Sequence, residues 1–494
     1  MKRTVPCSRA LAALGCLFCL LGQFVPVGAA HASGLLVARF GGEWGHPMTD
    51  GLTSIYYNPA GLALMRGTRL ELTGSFAWRD FVYNRNPEAI DNVLEEGDTG
   101  TGTPLGEGVA LNSGRAHLLN FLATPFVGAG TDFGVEGLGV AIGMYVPLGG
   151  QSIWDQGAEA PDFPGASDGP QRWWTVEGTI RSIYGSLGVG YRIPKIRLSV
   201  GAALNLVLSE VYNLQARDAD GTDHMTSGEY VAEGRVLVDV NSLDVALGVG
   251  LLWEPIDNLF IGASYQSQPG FGDQRLTGTV SLALGSGPIG AGTKNPAELR
   301  QAMPDVIRFG VRYGEPESWE VRLFGNVARW SVLKEQCTLN STIADRSCEG
   351  ASPPGKIIIV PRDWQDGWEI RAGGSYWLNP DVEMAFGVGF DSNAIPDKTL
   401  EPAIHDSDKL TLTLATRIKL MKQLSLHASY SQVIYFDRTV APRGRVPADP
   451  NDPDGATITD LASTGYREAL RTPDAAGSYH IALGLLEIGL TAQF

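Results

Sequence analysis

After Cys19 the chain has no apolar run approaching the ~18 residues that a spanning helix requires. A helical membrane protein is thereby excluded. Cysteine is nearly absent: Cys7, Cys16 and Cys19 fall near the start of the chain, and only Cys337 and Cys348 remain beyond them. Two cysteines are too few for a disulfide scaffold, and with no His between them they lack the further ligands of a metal site. A close pair in an exported chain is most simply a disulfide closing a small loop. Positive charge is also short, 38 Lys and Arg against 54 Asp and Glu. That balance argues against nucleic acid and anionic headgroups as partners, since both reward basic patches. What is abundant is glycine, 62 of 494 residues, at a mean hydropathy near zero. A membrane barrel, with strands only half apolar, fits that composition.

Residues 1–32 form a targeting segment. Lys2, Arg3 and Arg9 make its basic start, Ala10 to Leu21 its apolar stretch, and Ala30-His31-Ala32 its cleavage signal. Ala13-Leu14-Gly15 before Cys16 is a poor lipobox, so maturation is expected at Ser33. The loss of three basic and no acidic residues takes the formal charge from −16 to −19, or 35 against 54.

Ser33 to Met65 carries six glycines and two prolines, and its apolar residues do not alternate. Glycine and proline each weaken a continuous helix or strand. This leader, residues 33–66, is read as a plug for a barrel formed by residues 67–494. In that larger part the pattern has period 2. Ile196, Leu198, Val200, Ala202, Leu204, Leu206 and Leu208 share one face, with Arg197, Ser199, Gly201, Ala203, Asn205 and Ser209 on the other; Leu410, Leu412, Leu414, Ile418 and Leu420 oppose Thr411, Thr413, Arg417 and Lys419 in the same way.

About fourteen such strands are expected: 68–80, 115–127, 134–146, 173–193, 196–214, 237–253, 259–268 (running on through 276–284), 305–313, 319–332, 368–378, 382–391, 409–420, 423–436 and 478–494. Turns at 128–132, 194–195, 255–258, 315–318, 379–381 and 421–422 are short, and the other connections are long, as in an outer-membrane barrel with its short turns periplasmic. Sandwich strands are usually shorter. The last strand places Leu486, Ile488, Leu490, Ala492 and Phe494 on one face. The fold class is therefore all-β, a 14-stranded antiparallel transmembrane barrel with an N-terminal plug in its lumen.

Three stretches resemble the FadL family of outer-membrane channels for hydrophobic compounds. The first is the leader with Tyr57-Asn58-Pro59-Ala60-Gly61-Leu62. The second is 296–308, read as a short helix feeding a strand, followed by Trp330-Ser331. The third runs from Phe390-Asp391-Ser392-Asn393 through 408 to Tyr435-Phe436-Asp437-Arg438. The resemblance implies passive uptake of long-chain fatty acids or aromatic hydrocarbons. The route it implies is an outer groove, then a pocket beside the plug, or hatch, then sideways exit at a kink in the third strand. It implies no enzyme activity, no metal and no cofactor. The partners it implies are the hydrophobic ligand, outer-membrane lipid and, through the terminal Phe494, the barrel-assembly machinery, with a monomer as the expected state.

Carried onto this sequence, Asn58, Pro59 and Ala60 hold the hatch, the Asn58 amide anchoring it to the wall; an Asx-type turn without a transport role is the other reading. Val146, Pro147, Leu148, Gly149 and Gly150 form the kink, or else simply end their strand. Leu35, Leu36, Phe40 and Leu62 are apolar candidates for the pocket. Arg39, Arg197 and Arg417 are candidates to meet a carboxylate. Trp154, Trp173 and Trp174 serve an interfacial belt or a capture groove.

No nucleophile motif surrounds His117, His427 or His480. The acidic stretches 220–224 and 449–454 do not match calcium-loop spacing and read as solvated turns. A structural or adhesive barrel that binds partners through its long loops is the alternative function.

Overall fold

The computed structural model describes residues 40–90, 107–159, 163–217, 223, 225–227, 230–231, 233–283, 293–350, 353–442 and 473–494. The targeting segment, Leu35, Leu36, Arg39, the acidic stretch 449–454 and all of 220–224 except Asp223 lie outside them.

Fourteen barrel strands follow in chain order, some in two pieces: β1 Thr68–Arg85, β2 Gly114–Thr131, β3 Leu138–Ile153, β4 Glu177–Ile193, β5 Leu198–Arg217, β6 Gly234–Trp253, β7 Leu259–Gln266 with Gln274–Ala283, β8 Thr293–Gln301 with Val306–Glu315, β9 Trp319–Ala328 with Glu335–Asn340, β10 Lys356–Pro361 with Gly367–Asn379, β11 Val382–Asp391, β12 Lys409–Met421, β13 Leu424–Tyr435 with Arg438–Val440, and β14 Gly477–Gln493. Each pairs antiparallel with the next. β1 also pairs with β14, from Arg69 opposite Gln493 to Arg85 opposite Gly477, so the sheet closes on itself.

The period-2 pattern decides which face looks out. On β5, Leu204 and Leu206 are 45% and 52% exposed, whereas Asn205 between them is fully buried. Leu72, Phe121, Leu243, Phe386 and Leu414 are likewise exposed on the outside. So large an apolar outer surface is stable only against lipid. Tyr191, Trp253, Tyr313, Trp319 and Tyr376, all exposed, ring the barrel near its short-turn end, where aromatic side chains meet the headgroup layer.

Two expectations need correction here. β2 continues through Thr131, so its turn to β3 lies at 132–137 and not at 128–132. Residues 296–301, expected as helix, belong to β8: they pair with β7 on one side and β9 on the other, and Ala297 and Leu299 pack against Val238, Leu276 and Ile358. Ladder bonds on both edges and a buried apolar face outweigh the helix preference of so short a segment. Cys337 and Cys348 are joined by a disulfide on the long-loop side.

Candidate functional site

The leader lies against the inner wall. From Phe40 to Met65 it is nearly all buried and folds as three short helical turns, Gly42–Trp44, Ser54–Tyr57 and Pro59–Leu64. Asn58 is extended and caps the third turn, its Oδ1 accepting from the Ala60 N–H at 3.1 Å, with Pro59 at the first position where a missing N–H costs nothing. The Asn58 Nδ2 donates to Pro47 O at 2.8 Å within the leader and to Leu251 O of β6 at 2.9 Å. One fully buried amide thus joins two leader segments and the wall.

The wall is shaped to receive the leader. Seven consecutive strands, β2 to β8, each present at least one glycine where the leader backbone or side chains touch it. A Cβ added at Gly190 would meet Ala63 N at 2.7 Å, and one at Gly310 would meet Met48 Sδ at 2.6 Å. At Gly201, Gly250 and Gly262 it would collide with Pro59 and Ala60, with Asn58 and with Pro47. Polar tethers complete the seat. Gly41 N donates to Glu487 at 2.7 Å, Trp44 Nε1 to Glu383 at 2.8 Å, and Ser264 Oγ to Tyr57 O at 2.5 Å. At the leader's exit the Asp132 carboxylate accepts from Gly67 N at 2.9 Å and Gly134 N at 2.8 Å, and those two backbone donors hold its pKa below the usual carboxylate value.

The wall is interrupted beside this seat. β2 and β3 pair only from Thr131 opposite Val140 to Val127 opposite Met144, although β2 runs on to Gly114 and β3 to Ile153. Against β4, Tyr145 sits opposite Tyr184 but Leu148 opposite Ser182, so Val146 and Pro147 together face the single residue Ile183. This is a bulge. Tyr145 to Gly149 are buried in succession, which breaks the alternation and turns the strand inward. At the far end the ladder is replaced by side chains: Arg79 Nη2 and Asn120 Nδ2 donate to Gln151 O at 2.8 and 2.9 Å. Between these limits β2 is unpaired toward β3 over residues 121–126, roughly 20 Å of strand at about 3.3 Å per residue. Pro125 and Pro147, neither with an N–H to donate, stand on its two margins.

A cavity adjoins the leader, lined by Tyr56 and Tyr57, by Pro147 of the bulge, and by Arg308, Arg371 and Lys409. Arg371 is paired with Glu369 and Asp391, and Lys409 with Asp406. Arg308 has no carboxylate partner among the described residues. It is 4% exposed, and its guanidinium lies 4.2 Å from the centre of the Tyr56 ring.

Several sequence candidates fall elsewhere. Phe40 and Leu62 pack in an aromatic and aliphatic cluster with Phe126, Tyr145 and Tyr184, and neither lines this cavity. Arg197 sits in the β4–β5 turn with positive φ, paired with Asp257 and Glu254, and does not enter the lumen. Arg417 caps the Trp44 ring at 4.3 Å and pairs with Glu383. Trp154, Trp173 and Trp174 are buried in one core cluster, so they form no interfacial belt. His427 turns the same Nε2 toward Thr73 (3.3 Å) and Glu487 (3.9 Å), an arrangement that cannot relay a proton from one to the other through the ring.

Sequence reasoning missed Arg308. Its signal was an arginine between the outward-facing Ile307 and Phe309 of β8, and so on the inward face, legible only once the strand's facing was known.

A closed fourteen-stranded barrel with a lipid-compatible exterior and a packed inner segment is an outer-membrane barrel. A family profile described as "Outer membrane protein transport protein (OMPP1/FadL/TodX)" matches residues 27–454, and the chain belongs to that family. Among solved structures, a Pseudomonas aeruginosa FadL homologue superposes with a TM-score of 0.68 at 18% identity, over 94% of this chain and 100% of that one. The Ralstonia pickettii toluene transporter TbuX gives 0.58 at 14%, and the P. putida toluene transporter TodX 0.56 at 14%, each over 90% of this chain and 94% of theirs. At these identities the likeness is one of fold. No curated protein matches the sequence.

Proposed function

We propose that this protein carries hydrophobic small molecules passively across the outer membrane, long-chain fatty acids foremost and aromatic hydrocarbons second. The leader acts as the hatch, the cavity beside it as the binding pocket, and the β2–β3 interruption as a lateral exit. The observation that carries this reading is the convergence of Tyr56, Tyr57, Pro147 and Arg308 on one cavity. A water-filled pore is a poor path for such a solute, because each CH₂ gains about 0.8 kcal/mol on leaving water. A sideways exit delivers it from pocket to bilayer directly. Arg308, buried with no carboxylate partner among the described residues, favours a substrate that brings one.

Asn58, Pro59 and Ala60 hold the hatch in this reading, and Val146 to Gly150 hold the exit open. The chain acts as a monomer without cofactor or catalysis, and Phe494 marks it for the assembly machinery. An adhesive barrel has no use for a wall sculpted around a plug, which sets that alternative behind.

Uptake of oleate and of an equally long alkane, in a host lacking its own fatty-acid channel, tests the proposal. Expected are oleate uptake that falls about tenfold in Arg308→Met, and alkane uptake that does not change. Wild-type uptake no greater than that of the empty host would overturn transport, and an unchanged oleate rate in Arg308→Met would overturn the carboxylate preference.

A further inference from the structure

A second cavity lies on the long-loop side of the lumen. Its apolar wall includes Trp173, Trp174, Val211, Leu299, Ile358 and Val360. Three polar side chains on it have atoms with no hydrogen-bond partner among the described residues: both ring nitrogens of His405, Arg79 Nε and Thr175 Oγ1. His405 is 5% exposed and Thr175 1%. The imidazole is fixed by its neighbours, lying 5.0 Å from the Tyr479 ring at 20° and 5.3 Å from Phe81. The other strong polar groups on this wall are engaged. Arg362 donates to Glu401 at 2.6 Å and to Gln336 at 2.7 and 2.9 Å, and the outer Arg79 nitrogen Nη2 donates to Gln151 O and to Ser152 Oγ.

We propose that this cavity is a second binding site, specific for a neutral compound with an apolar body and a hydroxyl group, such as an alkylphenol, which His405 recognises with help from Thr175. The inference rests on the transport reading above and assigns a ligand class to a different cavity.

Buried polar atoms without partners are rare because they forfeit their water, so several on one cavity wall point to a ligand that supplies the missing bonds. Burial, with Arg438, Arg79 and Lys409 nearby, pushes the His405 pKa well below the usual histidine value and keeps the ring neutral. A neutral imidazole offers one donor and one acceptor. A hydroxyl is the complement of both. A carboxylate accepts only, so it can meet the imidazole N–H but leaves the acceptor nitrogen unmet.

Calorimetric titration of the full barrel in detergent with butylbenzene, 4-butylphenol and 4-butylbenzoate tests this. Expected in the wild type is 4-butylphenol binding about tenfold tighter than butylbenzene, the effect of a hydrogen bond made in a dry site. His405→Phe keeps the ring stack and removes both nitrogens, so the ratio should fall to about one with butylbenzene unchanged. Thr175→Val should lower the ratio in part. Equal wild-type affinities, a benzoate preferred over the phenol, or a ratio unmoved by both variants would each overturn the proposal. Because the wild-type ratio is itself decisive, a misfolded variant does not shield it. Failure of the transport reading would appear separately, as oleate uptake no greater than that of the empty host.

Discussion

The ring of Phe40 in the leader lies 4.9 Å from that of Tyr145, the last β3 residue before the bulge, and also stacks at 5.3 Å on Phe126 of β2. A single leader side chain therefore touches both strands where their ladder stops. Phe40→Ala leaves a hole at the inner mouth of the interruption, and truncating a buried Phe typically costs about 3–5 kcal/mol. We expect brief conductance openings in planar bilayers where the wild type is closed. Identical traces for the two would refute a gating contact.

Asn58 makes a different kind of hold. Asn58→Ala orphans the buried Pro47 carbonyl and the Ala60 N–H, each worth about 1–3 kcal/mol when unmet, and removes the tie to the Leu251 carbonyl of the wall. Amide exchange over 54–64 should accelerate by about ten- to a hundredfold, with exchange in β5 and β6 unaltered. A change confined to the strands would assign Asn58 to barrel stability instead.

Much of this was legible in the sequence, for reasons that differ by residue. The β5 alternation around Asn205 and the bounds of β11 follow from a local period of two, because the lipid on one side and the lumen on the other impose it residue by residue. Asn58 and Pro147 were visible as motif residues. The strand at 293–301 was not, since only its partners on β7 and β9 decide it. Nor was Arg308, whose meaning depends on what fails to sit beside it, nor the wall glycines, which look like any others until the leader is docked.

Those glycines yield a prediction of their own. Gly250→Val adds a side chain where Asn58 Oδ1 already sits, on a strand that β-branched residues otherwise suit. The barrel should still form and show heat-modifiable mobility, while the leader becomes open to protease. Leu251→Val, on the adjacent outward-facing position that meets lipid, is the matched control and should leave the leader protected. Equal protection of the leader in both variants would show that the glycine seat does not hold it.

The bulge can be removed directly. Deleting Pro147 restores one residue opposite one between Tyr145 and Leu148, letting the β3 ladder continue and the margin close. Oleate uptake should fall at least tenfold while copurified fatty acid is retained, because the pocket survives and its exit does not. Loss of bound fatty acid together with uptake would instead place Pro147 in the pocket alone.

His405 sets a pH dependence on the loop side, and its sign is fixed by which state takes the proton. In the folded barrel its pKa lies well below that of an exposed histidine, burial being the largest cause and the cations Arg438, Arg79 and Lys409 adding to it. In an opened segment it titrates at about 6.5. The open form therefore binds the proton first. The stabilisation that a neutral His405 contributes is complete above about pH 6.5 and is lost as the pH falls below it, at up to about 1.4 kcal/mol per pH unit. Amide exchange over 394–406, corrected for its intrinsic rate, should lose protection between about pH 6.5 and about pH 4.5 in the wild type by more than in His405→Phe. Parallel loss in both proteins would show that His405 does not set the acid sensitivity of this segment.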